Sequence, residues 1–344
     1  MMDAANDAIG RAIGLLEHGV VAERWSREAR DVARVLRTEQ SQSHAYADAI
    51  CPIIINLWRR TDRINSLGQL FEAEKQAWDV CASGALIGAA CVQAAVAEGG
   101  VGRELGARVR SHEWPSGHMA LVFDAFDAIS IGEPGVIGCR ASHNACHAIA
   151  AAAADYAYRN ARTNLHFLFI EDDAVSFRGR EAGQLATIFE DITAHGALWK
   201  DGIHAMHLGP NASVRAEQRP EFKTRGMSKL CWIRRSMNAH AYLVRSDCIR
   251  HVALSLRSDF CLSKFAAPAA PAAPAAPAAR DAVVEFDVAW FAVMDSLVWA
   301  GPVVPIVMQA AGFSDIDQKD KRSQTAQCKD ARYKIAAGAG ACAR

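Results

Sequence analysis

The chain has 344 residues, of which 51% are hydrophobic, enough for one large α/β domain or two smaller ones with a sizeable core. Its 38 basic and 38 acidic side chains balance, so it lacks the net positive charge typical of proteins that bind nucleic acid or an anionic membrane. Ten cysteines without close paired spacing, in so long a chain, indicate reduced core residues rather than a disulfide framework.

The N-terminal segment, residues 1–48, is predicted to form a separate helical extension because its apolar residues recur at helical spacing among many charges. It carries Asp3 and Asp7 and lacks a basic start followed by a long apolar run, so we expect no signal peptide and a cytoplasmic location. The most apolar window, residues 81–97, is mostly Ala, Gly and Cys, and at about 17 residues it is marginal for a membrane span. A buried helix is the favoured interpretation, and no transmembrane segment is expected.

A pattern of alternating strands and helices follows this extension. The run PIIINL at 52–57 is short and β-branched, and the polar RRTDR follows at once, which predicts a strand, a turn and then a helix over about 64–78. The apolar run 165–170 predicts another buried strand, preceded by an Ala-rich helix for which Ser142 is the expected N-cap. Such alternation indicates an α/β fold with a mostly parallel sheet flanked by helices.

The C-terminal half contains two further predicted strands and two segments of biased composition. Residues 204–208 and 241–244 predict the strands. Residues 265–280 have proline at every third position, which predicts an extended, solvated insertion. Residues 317–344 are charged and then rich in Gly and Ala, which predicts a disordered tail. We therefore expect one folded domain, residues 49–316, interrupted by the insertion.

The buried strand at 165–170 ends abruptly in Glu171, Asp172 and Asp173. Because ligands in open parallel sheets bind beyond the carboxyl ends of the strands, these carboxylates lie where a site is expected. Alternate residues of an extended segment point the same way, so Glu171 and Asp173 are expected to converge while Asp172 faces away. Carboxylate oxygens suit hard cations such as Mn²⁺ or Mg²⁺, which can bridge to a diphosphate and stabilise it as it leaves. The alternative is an acidic loop whose Asp residues cap the next helix.

Several short motifs around this acidic cluster follow one another in a particular order. They are IIINLWRRTDR at 53–63, GCRASH at 138–143, FIEDDA at 169–174, HLG at 207–209, HAYLVRSDCIRHV at 240–252, EFDVAW at 285–290 and PIVMQAAGFSDI at 305–316. In this order the motifs resemble glycosyltransferase family 25, which includes lipooligosaccharide galactosyltransferases and collagen galactosyltransferases. The resemblance covers about residues 52–316 and implies a GT-A-like, Rossmann-type domain that binds a nucleotide-sugar.

The resemblance also implies roles for individual residues. Asp173 and Glu171 would bind the metal, Mn²⁺ or Mg²⁺. The donor and its nucleotide would be held by Asn56, Arg60, Arg63, Ser142, His143, Glu171 and Asp172. An arginine at such a position can hold a phosphate by a fork of charge-assisted hydrogen bonds, although a surface salt-bridge cluster is the alternative for Arg63.

The helix that carries Ser142 and His143 admits other interpretations. Ser142 can serve as a helix cap, and His143 can be a hydrogen-bonded buried imidazole. His143 and His147 also have the i, i+4 spacing of a zinc pair, with Cys139 and Cys146 nearby, so a zinc site is a rival. Against it, the pattern HNACH lacks the glutamate of an HExxH metalloprotease, and no second Cys/His pair has zinc-finger spacing.

The predicted function is that of a metal-dependent hexosyltransferase. It would move galactose or glucose from a UDP-sugar to a hydroxyl of a glycan or protein, as in lipopolysaccharide biosynthesis. The resemblance implies inversion, which needs a general base for the acceptor hydroxyl. Asp287 of EFDVAW is the candidate base; a donor-site ligand or a helix N-cap is its alternative role, and Ser314 and Asp315 match the last motif without an assigned role. The rival functions are a catalytically weak family member acting as a binding module, and a metal-dependent phosphohydrolase.

Overall fold

The computed structural model describes residues 46–176, 183–209, 216–217, 230–233, 236, 239–265, 286–302, 304–310, 312–314 and 319–321. The strands in these ranges are β1 (Ala47–Asn56), β2 (Val109–Glu113), β3 (Met119–Asp124), β4 (Thr163–Glu171), β5 (Ala174–Ser176), β6 (Ala205–His207), β7 (Ala216–Glu217), β8 (Leu230–Ile233), β9 (Ala241–Val244), β10 (Trp299–Pro302), β11 (Val307–Gln309), β12 (Gly312–Ser314) and β13 (Lys319–Lys321).

The helices of the same ranges follow the strands in an α/β order. They are α1 (Thr61–Ala73), α2 (Lys75–Ala97), α3 (Arg103–Ala107), α4 (Gly135–Tyr156), α5 (Gln184–Glu190), α6 (Ala197–Lys200), α7 (Ile249–Ser255), α8 (Asp259–Ser263) and α9 (Phe286–Ser296). Short π-helical turns, Ala157–Ala161 and Asp191–His195, extend α4 and α5. A 3-10 turn, Ile129–Ile131, lies in the loop between β3 and α4.

A large central sheet organises the described part of the chain. Its strand order is β2-β3-β1-β4-β9-β6-β10-β8-β7. Strands β3 and β4 both pair in parallel with β1, and β10 pairs in parallel with β6, whereas β9 is antiparallel to both β4 and β6. Six of these nine strands therefore point the same way, namely β1, β3, β4, β6, β7 and β10. The predicted mostly parallel sheet flanked by helices is confirmed as a mixed sheet in which one direction dominates.

Strand β1 forms the middle of the parallel part because it is apolar on both sides. Eight of its ten residues are buried, from Ala49 to Asn56. It begins at Ala47, before the predicted start at residue 52, and pairs with β4 from its first residue, Ala47 opposite Thr163. Its first two residues thus belong to the sheet rather than to the predicted helical extension, and residues 1–45 lie outside the described residues.

Two hydrophobic layers cover the sheet, one on each face. Alternate residues of β4 point into opposite layers: Phe167 and Phe169 pack on the side of α4, α7 and α9, and Leu168 and Ile170 pack on the side of α1 and α5. The result is a helix–sheet–helix sandwich, the architecture that a sheet apolar on both faces requires.

Helix α2 lies against the edge of β1 and contributes to both layers. Its first turns, with Trp78 and Cys81, pack in the layer of α1, and its later turns, with Ile87 and Cys91, pack in the layer of α4. Helix α2 can pass this edge of the sheet because β3 pairs with β1 only from Ile53 onward. Among the described residues α2 is the helix long and apolar enough to cross a membrane, and half of its apolar stretch is buried in the fold. The window predicted to be a buried helix is thus helical and partly buried.

The structure differs from the sequence-based prediction at several boundaries. The helix expected over 64–78 is two helices, α1 and α2, joined at Glu74. Helix α4 begins at Gly135, so Ser142, the expected N-cap, lies well inside the helix. Strand β13 (Lys319–Lys321) pairs with β12 within the segment predicted to be disordered. The Ala/Pro insertion lies outside the described residues, apart from Phe265.

Candidate functional site

An open cavity of about 700 Å³, measured out to its solvent-filled mouth, lies beyond the carboxyl ends of β1, β3 and β4. These three parallel neighbours end together at Asn56, Asp124 and Glu171, so the segments that follow them meet at one edge of the sheet. The wall consists of Ile55, Leu57, Arg63, Ala125, Phe126, Asp127, Ala128, Ile129, Gly135, Cys139, Ser142, His143, Glu171, Asp172, Asp173 and Gln309. The predicted position of the site, at the end of β4, coincides with this cavity.

The acidic segment turns sharply because backbone bonds hold it from two sides. The amide of Asp172 donates to Ile55 O at 3.2 Å, and the amide of Glu171 donates to His240 O at 2.8 Å. After the turn, β5 pairs with β11, and the amide of Ala310 donates to Asp173 O at 2.8 Å. The three carboxylates are thereby fixed at the cavity by neighbouring strands as well as by their own chain.

Each of the three carboxylates contacts a different element. Glu171 Oε1 lies 3.1 Å from His143 Nε2 of α4. Asp172 Oδ1 accepts from Arg63 Nη1 of α1 at 2.8 Å. Asp173 Oδ2 accepts from Gln309 Nε2 of β11 at 2.9 Å. All three line the cavity, so the prediction that Asp172 faces away from the site is wrong. The side chains of Glu171 and Asp173 are held by separate partners.

Asp172 is a buried carboxyl whose charge is opposed by its surroundings. Burial raises the pKa of Asp172 to about 7 against the opposing pull of the Arg63 guanidinium, and the neighbouring Asp173 carboxylate raises it further. Arg63 is itself largely buried, with a side-chain exposure of 15%. The structure therefore places Arg63 at the cavity, as predicted, but pairs it with Asp172.

Asp173 has one carboxylate oxygen in use and one that is not. Its Oδ2 accepts the Gln309 bond, whereas its Oδ1 is buried and makes no hydrogen bond within the described part of the chain. A buried acceptor without a partner is costly, by about 1–3 kcal/mol, unless a ligand or ion satisfies it. Asp173 Oδ1 is thus a candidate ligand atom on a residue that lines the cavity.

A buried chain of hydrogen bonds runs from the cavity into the core. His143 Nδ1 lies 3.1 Å from the hydroxyl of Tyr242, and the same hydroxyl lies 2.7 Å from His147 Nε2. Burial lowers the pKa of His147 well below its ordinary value, and the neighbouring His143 lowers it further, so His147 is neutral. His143 is also buried and hydrogen-bonded through both ring nitrogens, as the alternative for this residue predicted, and it lines the cavity as well.

Three possible metal-ligand atoms meet in the cavity wall, one each from Cys139, His143 and Glu171. These atoms all lie within 4.8 Å of one another. The sequence suggested His143 and His147 as a zinc pair. In the structure the candidate pair is Cys139 and His143, because His147 lies deeper in the core against the Tyr242 hydroxyl. The i, i+4 spacing of Cys139 and His143 is a signal the sequence contains, but their partner Glu171 comes from a different element.

Two predicted donor-site residues, Asn56 and Arg60, are not part of the cavity wall. Asn56 is buried at the end of β1 and donates from Nδ2 to Leu57 O at 2.9 Å. Arg60 precedes α1 and forms a two-point ion pair with Asp62, at 3.0 and 2.9 Å. The neighbouring Arg59, which the sequence-based prediction did not include, pairs at 2.7 Å with Asp127 of the cavity wall.

Ser142 and Asp287 lie inside helices. The Ser142 hydroxyl donates to Gly138 O at 2.6 Å and accepts from the amide of Phe126 at 2.8 Å, so it ties α4 to the loop after β3 instead of capping a helix. Asp287 is the second residue of α9, and its side chain lies outside the described part of the structure. Ser314 belongs to β12, and Asp315 lies outside the described residues.

Comparisons with protein-family models, with curated proteins and with solved structures each found no match. The function is therefore argued from the geometry of the cavity together with the motifs that line it.

Proposed function

We propose that the chain is a cation-dependent glycosyltransferase of GT-A type that takes a hexose from a UDP-sugar and transfers it to a hydroxyl acceptor. One observation carries this proposal. Arg63, His143 and the acidic turn 171–173 come from three motifs of the family 25 resemblance, far apart in sequence, and all of them line one cavity. Gln309, from a fourth motif of the resemblance at 305–316, lines it as well.

The donor atoms in this cavity suit a hard divalent cation. Asp173 Oδ1 is without a hydrogen bond among the described residues, and Glu171 lines the same wall. Mg²⁺ and Mn²⁺ prefer carboxylate oxygens, and Mg²⁺ is usually bound by one or two carboxylates together with water and substrate phosphates. Asp173 and Glu171 would hold such a cation, which when bound neutralises the charge of the leaving diphosphate.

The protein's own residues position the donor. The Arg63–Asp172 pair and the Gln309–Asp173 bond keep the acidic turn rigid, so its carboxylates need little reorganisation when a ligand binds. Ile55, Leu57 and Phe126 supply an apolar wall for the flat face of a base or a sugar. Asp287 is the proposed general base for the acceptor hydroxyl, at the start of a helix that packs in the same layer as α4.

The test is calorimetric titration of the purified chain with UDP, with and without Mn²⁺. We expect binding that requires the cation and that is lost in Asp173→Asn, which removes the charge but keeps the shape. The matched control is Asp79→Asn, an exposed acid on α2. A wild-type protein that binds no UDP under either condition would refute the donor assignment, and hydrolysis of simple phosphoesters without a nucleotide-sugar would favour a phosphohydrolase.

A further inference from the structure

We propose that Cys139, His143 and Glu171 form a second cation site, for a borderline transition-metal ion such as Zn²⁺. Cys139 and His143 are one turn apart on α4, so their side chains lie on the same face of the helix. Glu171 ends β4 directly opposite, with Oε1 3.1 Å from His143 Nε2. The three ligand atoms lie within 4.8 Å of one another and line the cavity.

The His143–Glu171 distance agrees with tetrahedral coordination, and the Cys139 sulfur lies within 4.8 Å of both ligand atoms. Zinc bonds of about 2.0–2.1 Å to nitrogen and oxygen imply an edge of about 3.3 Å between those two ligands. The observed separation of Nε2 and Oε1 is 3.1 Å, close to that edge without any change of rotamer. The sulfur of Cys139 needs a slightly longer edge, since a zinc–sulfur bond is about 2.3 Å.

The ligand types separate this site from that of a hard cation. A thiolate and an imidazole favour zinc and related ions, whereas Mg²⁺ and Mn²⁺ favour oxygen ligands. Three protein ligands with a fourth position towards a cavity are the arrangement of exchangeable zinc sites, because closed structural sites use four protein ligands. We therefore expect an ion that binds reversibly and remains accessible from the cavity.

Tyr242 and His147 supply the support that a metal-bound histidine needs. Binding through His143 Nε2 places the proton on Nδ1, which can then donate to the Tyr242 hydroxyl at 3.1 Å. That hydroxyl in turn donates to His147 Nε2 at 2.7 Å. His143 Nδ1 and the Tyr242 hydroxyl each meet an acceptor in this arrangement, so the metal-binding tautomer of His143 is compatible with both contacts.

The two cation sites share Glu171. Zinc bound by Glu171 withdraws that carboxylate from a hard cation, so Zn²⁺ should compete with the Mn²⁺-dependent binding of UDP. This competition rests on the proposed function, whereas zinc binding itself does not. Zn²⁺ bound by Cys139, His143 and Glu171 would then inhibit the binding of UDP in the cavity.

The experiment is a titration of the full chain with Co²⁺, a spectroscopic substitute for Zn²⁺, followed by displacement with Zn²⁺. We expect a thiolate-to-cobalt charge-transfer band and tetrahedral visible bands. Cys139→Ser should abolish the charge-transfer band, and Tyr242→Phe should weaken zinc binding about tenfold. Cys146→Ala, which removes a buried thiol on the same helix, should leave the band unchanged.

Two variants keep the outcome decisive. Glu171→Gln retains the thiol and should weaken zinc binding, which provides a test even if Cys139→Ser does not fold. Asp173→Asn should retain the cobalt spectrum although it loses UDP binding, so failure of the proposed function is distinguishable from failure of the zinc site. A charge-transfer band that survives Cys139→Ser, or a wild-type chain that binds neither Co²⁺ nor Zn²⁺, would overturn the proposal.

Discussion

Gly84 is the point at which α2 touches the backbone of β1, and its replacement tests the path of that helix. A methyl group added at Gly84 would lie 1.9 Å from Ile50 O and 2.5 Å from Ile50 C. A carbon–oxygen contact needs about 3.3 Å, so α2 would have to retreat by about 1.4 Å. A gap of that size removes more than about half of the dispersion energy along the contact, since the backbone cannot rotate away.

Gly84→Ala should therefore lower the free energy of unfolding. Overpacking costs about 1–3 kcal/mol, and the better helix propensity of Ala offsets about 1 kcal/mol of this. We expect a net loss of about 2 kcal/mol, which takes the upper end of the overpacking range, because the atoms that the methyl group meets belong to the backbone. The measurement is urea unfolding followed by tryptophan fluorescence, with Ser83→Ala, an exposed neighbour on the same helix, as a control expected to change little.

The opposite result would contradict the described packing. An exposed or lipid-facing helix gains stability when a glycine is replaced by alanine, because alanine is the better helix former. If Gly84→Ala were as stable as the wild type, α2 would not lie against β1, and its burial in the sheet edge would be refuted.

Three further predictions concern the core beneath the cavity and the cavity itself. Burial lowers the pKa values of His147 and His240 below 6.5, so the unfolded chain takes up protons that the folded chain does not. Below pH 6.5 each imidazole should lower the free energy of unfolding by about 1 kcal/mol per pH unit, while the Asp172 carboxyl, whose pKa is raised, offsets about one imidazole's share; urea melts between pH 7 and pH 5 should show a net fall, and a flat profile would contradict it. Arg63→Met should cost about 3 kcal/mol because it leaves the Asp172 carboxyl buried without its cation, and Asp172→Asn in that background should restore part of the loss; strict additivity in the double-mutant cycle would argue against the pair. Among the described cysteines Cys139 is only half-buried and the others are buried, so it should be alkylated first and protected by Zn²⁺, as peptide mapping by mass spectrometry would reveal; faster labelling of a buried thiol would be the contrary result.

The sequence predicts those elements whose apolar pattern is local. The run 165–170 lies within β4, the run 241–244 coincides with β9, and the apolar window from residue 81 lies inside α2. In each case a single segment carries its own signal, because a central strand is apolar throughout and α2 has a long stretch that is mostly apolar. The acidic turn was predictable for the same reason, since it follows directly from the end of a recognisable strand.

The partners of the site residues were not predictable, because they depend on how separate elements meet. Cys139 and His143 have a visible helical spacing, but only the fold brings Glu171 to them. Arg63 has Asp172 as a partner, 109 residues away in the chain, and nothing in the segment around Arg63 indicates this pair. Ser142 looked like a cap because the start of α4 has no polar cap of its own, and the helix begins at Gly135 after Pro134.

The bonds that hold Asp173 in the acidic turn also set an order of events during synthesis of the chain. Asp173 receives its side-chain bond from Gln309, 136 residues later, and its backbone bond from Ala310. At translation rates of about 5–20 residues per second, those partners emerge roughly 7–30 s after the turn itself. During that interval a nascent chain carries its three neighbouring carboxylates without the strand that fixes Asp173. The cavity therefore matures only after residues 309 and 310 have left the ribosome.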